Sequence, residues 1–151
     1  MHPMRRLILK AAGAGGVMAA AMMTPLRALA AWNAAAFDAK TLADALKSIG
    51  AAGAVDNAGI VIDAPQIAEN GAVVPIEVTS NIPGTTSISV LIEKNPFPLA
   101  AKFDFKEGAV PYVKINAKIG ETSNVRVVAE AGGKSFTAMK EVKVTIGGCG
   151  G

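Results

Sequence analysis

Beyond residue 59 the chain settles into a period of two. "AVVPIEVTS" places Val74, Ile76 and Val78 on one side, and "TSISVLIEK" does the same with Ile88, Val90 and Ile92. "LAAKFDF" alternates through Leu99, Ala101, Phe103 and Phe105, and "YVKINAKI" through Val113, Ile115 and Ala117. "SNVRVVAEA" follows with Val125, Val127 and Ala129, then "KEVKVTI" with Val142, Val144 and Ile146. Such alternation predicts half-buried β-strands. "GIVID" reads as one more short strand. "KSFTAM" is either a separate strand or the first half of a long bent one. Turns are expected at Glu69-Asn70-Gly71, residues 81–84, residues 95–98, Gly108, Gly120 and Gly132-Gly133, all rich in residues that favour turns. Pro75 cannot donate to a ladder, which puts its strand at an edge or at a bulge.

Ahead of the strands the period is helical. In "DAKTLADALKSIG" the residues Leu42, Ala45, Leu46 and Ile49 fall at i, i+3, i+4 and i+7, one apolar face. Asp38 is the expected N-cap and Gly50 the terminator. Residues 50–59 read as a Gly- and Ala-rich linker. The expected fold is all-β with one short N-terminal helix. About seven short strands of antiparallel type form a β-sandwich, its two inner faces about 10 Å apart.

The first residues follow neither pattern. "MRRLILKAAGAGGVMAAAMMTPLRALA" has a basic start, an apolar middle and a small-residue end, the layout of an export signal. Arg5 and Arg6 in "RRLILK" resemble a twin-arginine pattern. The uncharged run over residues 11–25 is shorter than the roughly 20 residues of a membrane span, so no stable membrane anchor is expected. "ALA" at residues 28–30 fits the cleavage rule. The expected division is therefore an export signal over 1–30, a helix plus sandwich over 31–146 and a C-terminal arm over 147–151. Export places the mature chain in the periplasm.

Cleavage changes the charge. Loss of Arg5, Arg6, Lys10 and Arg27 leaves 11 basic residues of 15 against 12 acidic ones, a net charge of about −1 in place of +3. The calculated pI of 9.1 belongs to the precursor, and nothing points to nucleic-acid binding, which needs a basic face. The only histidine, His2, leaves with the signal. The mature chain then lacks the usual general base near neutral pH and the commonest metal ligand. With a single cysteine it cannot close an internal disulfide, and no metal or cofactor is expected.

That cysteine, Cys149, stands in the terminal "GGCGG". An exported protein with an odd cysteine either pairs between chains or uses a free thiol. Gly147, Gly148, Gly150 and Gly151 carry no side chains to pack. Five extended residues reach roughly 16–18 Å, so the segment is expected to act as a thin, flexible arm that delivers the thiol into another protein. Nothing adjacent lowers the thiol pKa: the nearest cation in sequence is Lys143, and the C-terminal carboxylate is two residues away. Activation is left to whichever enzyme receives the arm. A thiol can take up another sulfur and release it by exchange. The cysteine is third from the end, which rules out a prenylation signal. Gly150-Gly151 superficially fits the ubiquitin-like carriers, which bear sulfur on a terminal carboxylate. A further alternative is an exported interaction module whose Cys149 only cross-links subunits.

The leader, the short helix, "IAENGAVVPIEV", "NPFPLAAKFDF" and "KVTIGGCGG" together resemble the SoxY family of sulfur carriers. The resemblance implies an immunoglobulin-like sandwich paired with a SoxZ-like β-sandwich subunit. It implies a periplasmic, non-enzymatic carrier for thiosulfate oxidation, with Cys149 holding S-thiosulfonate and persulfide intermediates. It implies transient partners as well: a SoxXA-type haem cytochrome, a SoxB-type hydrolase and a sulfane dehydrogenase. A Cys149-linked dimer is an expected oxidised form.

Overall fold

The computed structural model describes residues 33–145. In chain order these form α1 (Ala34–Phe37), α2 (Leu42–Ser48), β1 (Val55–Asp56), β2 (Ile60–Asp63) and β3 (Ile67–Ala68). Six longer strands follow: β4 (Val74–Ser80), β5 (Thr85–Ile92), β6 (Leu99–Asp104), β7 (Tyr112–Ala117), β8 (Ser123–Ala131) and β9 (Lys134–Val144). No helix among the described residues is long and apolar enough to cross a membrane.

The helical segment differs from expectation at its start. There are two short helices. Asp38 does not cap α2; it is the C-cap of α1, its N–H bonded to the Ala34 carbonyl. Thr41 is the N-cap of α2, and its Oγ1 accepts the Asp44 N–H at 3.1 Å. A cap must precede the first helical residue directly, and only Thr41 does so. Gly50 ends the helix as expected. It adopts φ +74°, while its N–H reaches the Lys47 carbonyl and that of Ala51 the Leu46 carbonyl, a Schellman closure.

The strands build two sheets. The larger has the order β1-β9-β8-β5-β6, with β3 also paired to β9; the smaller is β2-β4-β7. Pairing is antiparallel except where β1 and β3 run parallel to β9. The stretch expected as a linker thus contains β1, with Val55 opposite Phe136 and Asp56 opposite Thr137. "KSFTAM" proves to be the first half of the eleven-residue β9. A two-residue turn with positive φ at Gly132 and Gly133 joins β8 to it, the conformation a tight hairpin needs. β4 is the central strand of its sheet, but β2 stops opposite Glu77, so at Pro75 only β7 is paired. The missing N–H therefore costs nothing on the open side.

Two cores result. Ile76, Ile88, Val90, Ile92, Val125, Val127 and Val142 pack between the sheets, and each large side chain sealed there is worth about 1.5–3 kcal/mol. A second core lies on the other side of the larger sheet, where Leu91, Leu99 and Val128 meet Ala36, Ala39, Ala45, Ile49 and Ala51. Small alanines let the helices approach the sheet closely. β5 is consequently buried on both sides, from Ser87 through Ile92. In β6 the register against β5 slips: Val90 faces Ala101, but Leu91 faces Leu99. Leu99 therefore does not share a side with Phe103 and Phe105, as even spacing had suggested.

Candidate functional site

The sequence-predicted site residues Cys149, Gly147, Gly148, Gly150 and Gly151 lie outside the described residues, as do Arg5 and Arg6. The strand leading to them is described up to Thr145. β9 ends at Val144, two residues short of the expected Ile146.

The last described residues of β9 are held by an exchange of partners. β8 pairs with β9 as far as Ser123 opposite Val142. From there β3 takes over, with Ile67 opposite Lys143 and Ala68 opposite Val144. The Lys143 N–H donates to the Gln66 carbonyl at 2.9 Å, and the Thr145 N–H to the Ala68 carbonyl at 3.2 Å. Between them the Val144 N–H points to the other side and donates to Thr122 Oγ1 at 3.0 Å. Successive backbone donors of an extended strand alternate in direction, so three residues use partners on both flanks.

Behind this end of β9 the turn before β4 closes tightly. The Ile119 N–H donates to the Gly71 carbonyl at 2.7 Å. A Cβ added at Gly71 would overlap the Ile119 carbonyl oxygen and come within 2.9 Å of Val144 Cγ1. Nearby, Asn95 Nδ2 donates to the Lys118 carbonyl at 2.7 Å, and its Oδ1 accepts the Gly120 N–H at 3.2 Å. That side chain ties the β5–β6 connection to the β7–β8 connection at the same pole.

Sequence reasoning missed Thr122, Gln66 and β3. A two-residue strand leaves no periodicity, and an acceptor on a turn threonine has no pattern. Gly71 was legible only as a turn residue.

Other chemistry lies elsewhere. On the outer face of the smaller sheet, Glu77 Oε1 accepts from Lys114 Nζ at 2.6 Å and its Oε2 from the Tyr112 hydroxyl at 2.8 Å. The hydrogen bond from Lys114, then that from Tyr112, holds the Glu77 carboxyl below its ordinary pKa. The same contacts push Lys114 and Tyr112 up. A cavity of about 470 Å³ lies between the β4–β5 turn and the β6–β7 connection, lined by Ile82, Phe105 and Pro111 among others. It opens at the far end of β4 from the end of β9, roughly 20 Å away along that strand. Among the described residues no group of three His, Cys, Asp or Glu side chains could hold a metal ion.

A family model described as "Sulfur oxidation protein SoxY" matches residues 46–149. The chain belongs to the SoxY family. Its match to that family starts within α2 and ends on Cys149, spanning every strand of the sandwich. The structure of the sulfur carrier protein SoxY from Chlorobium limicola f. thiosulfatophilum is 41% identical, with a TM-score of 0.64. The alignment covers 70% of this chain and 97% of that one. A superoxide reductase (neelaredoxin) from Ignicoccus hospitalis has a TM-score of 0.52 at 18% identity, over 57% of this chain and 80% of that one. That likeness is one of fold alone. No curated protein matches the chain.

Proposed function

We propose that this chain is a sulfur carrier of a sulfur-oxidising system, with the thiol of Cys149 as the point of attachment. The carrying observation is that the family match ends on the chain's only cysteine. The described structure supports it: β9 is fixed to its last residues, so whatever follows Thr145 leaves from a defined point.

The proposed cargo is thiosulfate. The Cys149 thiol and thiosulfate join through a new S–S bond, giving the S-thiosulfonate, one proton and two electrons. A SoxXA-type haem cytochrome accepts the electrons. A SoxB-type hydrolase then adds water, breaking the bond between sulfane sulfur and sulfonate; sulfate leaves, and a persulfide stays on Cys149. A sulfane dehydrogenase oxidises that sulfur further. In this scheme the chain supplies no catalytic group, and a SoxZ-like subunit binds the sandwich. The chain works in the periplasm, exported through its Arg5-Arg6 leader.

The test is the intact mass of the exported protein from thiosulfate-grown cells, before and after reductant, beside a Cys149→Ser variant. Reductant-sensitive sulfur adducts on the natural chain only, with loss of sulfate production by the variant, are expected. Sulfate production that survives Cys149→Ser would sink the carrier reading and leave cross-linking as the role of the thiol. A thiocarboxylate at Gly151 would move the cargo to the carboxylate. Changing Arg5 and Arg6 to Lys should retain the precursor in the cytoplasm; unchanged export would exclude the twin-arginine route.

A further inference from the structure

We infer that Gln66, β3 and Thr122 form a clamp that fixes the chain as far as Thr145, and hence limits how far the Cys149 thiol can reach; this rests on the carrier reading above. The observation is where β9 changes partners. Its last residue opposite β8 is Val142. The next three residues are held by other means: Lys143 by Gln66, Val144 by Thr122 Oγ1 and Thr145 by Ala68. Without those contacts they would belong to the tail.

The difference is large on the scale of an enzyme channel. From Thr145 to Cys149 there are four residues, a span of at most about 13–14 Å; from Val142 there are seven, about 23–25 Å. A longer tether also lowers the effective concentration of the thiol at a docked enzyme. The clamp thus trades reach for directed delivery. Its backing is Gly71, which lacks a side chain where the turn closes over Val144 and the Ile119 carbonyl. Its weak point is β3 itself, two residues long with Ile67 57% exposed, since so short an edge opens more readily than the sandwich behind it.

Thr122 is a positioning residue in this scheme. Replacement by Val keeps its shape but removes the acceptor, whereas Ser keeps the acceptor. Ala68→Pro is a stronger release, because proline disrupts pairing opposite Val144.

Two measurements on the full mature chain test the clamp. The first is amide hydrogen exchange. In Thr122→Val the Val144 amide should exchange roughly five- to ten-fold faster, the change that one hydrogen bond of about 1 kcal/mol gives. Thr122→Ser should restore protection, and Ala68→Pro should release Lys143 and Thr145 while β8 stays protected. The second is thiosulfate-to-sulfate turnover with the partner enzymes, using the natural arm and one shortened by deleting Gly147. The shortened arm should deliver poorly, and Ala68→Pro should restore part of its turnover, with the thiol equally reactive toward a small alkylating reagent throughout. Unchanged exchange in both release variants, or no rescue of the shortened arm, overturns the clamp. A natural chain that supports no turnover overturns the carrier reading, and exchange alone then decides the clamp.

Discussion

Leu91 and Leu99 stand opposite one another on the helical side of the larger sheet, while Phe103, four residues beyond Leu99, packs on the other side between the sheets. Even spacing along a regular strand would have put Leu99 and Phe103 together. The slip between Val90 and Leu91 is a β-bulge, and it lets one strand supply both cores.

This relationship predicts unequal costs for neighbouring apolar residues. Leu99→Ala should destabilise by about 2–4 kcal/mol, because a nearly sealed side chain leaves a cavity. Phe97→Ala, two residues earlier and 51% exposed, should stay within about 0.5 kcal/mol. Urea unfolding of the two variants side by side checks the contrast. Equal losses would mean that Leu99 does not fill the helical core.

Gly71 should tolerate no side chain. Gly71→Ala is expected to cost about 1–3 kcal/mol, since the new Cβ meets a backbone carbonyl that cannot rotate away. Gly108→Ala makes the comparison: nothing lies near its Cβ, and only its φ of +82° resists, a penalty of about 1–2 kcal/mol. In thermal unfolding both variants should melt earlier. Heteronuclear NMR should show shifts at Ile119 and Val144 only for Gly71→Ala.

The acid side of the stability curve should depend on Glu77. Its carboxyl is held below its ordinary value by Lys114 first and Tyr112 second. A depressed folded pKa contributes stability that is present above the unfolded value near 4.3 and lost as pH falls through the folded one. Lys114 and Tyr112 are shifted up. Their share is present below their unfolded values and lost as pH rises through the folded ones. Glu77→Gln should therefore flatten the loss of stability on acidification and the loss above about pH 10. Urea midpoints at several pH values measure this, and curves parallel to the natural protein would contradict it. The group is exposed, so added salt should shrink the effect.

Thr41→Ala should cost about 1 kcal/mol, and Thr41→Ser only a few tenths, because the cap is a side-chain oxygen on the Asp44 N–H. Asp38→Ala should leave α2 intact. Circular dichroism with denaturant titration distinguishes these outcomes from a helix capped at Asp38.

The long strands were legible because each has a buried side and a polar one. Val74, Ile76 and Val78 show it plainly, all within 1% of full burial. Where a strand is buried on both sides, as β5 is, alternation reported only half of the core. Ser87, Ser89 and Leu91 are buried along with Ile88 and Val90, yet nothing in their pattern announces a second covered side, which at Leu91 is made by the helices. The helices meet the sheet through Ala36, Ala39, Ala45 and Ala51 beside Ile49, and the apolar face read from the sequence did not tell which strand it covers. The two parallel strands β1 and β3 were illegible for another reason: two residues cannot display a period, and their pairing with β9 spans long stretches of sequence. In the candidate site the thiol and its glycines could be read directly from the sequence, but the hydrogen bonds that hold the strand before them join residues more than twenty positions apart.

The two-sided burial of β5, with Val128 of β8 beside it, also gives the molecule a seam. Peeling α1 and α2 away would uncover Leu91, Leu99 and Val128 but leave the packing of Ile76 against its facing strands in place. Partial unfolding would then begin on the helical side and present a greasy patch on an otherwise intact sandwich. At that stage β9 would still be held by β8 and β3.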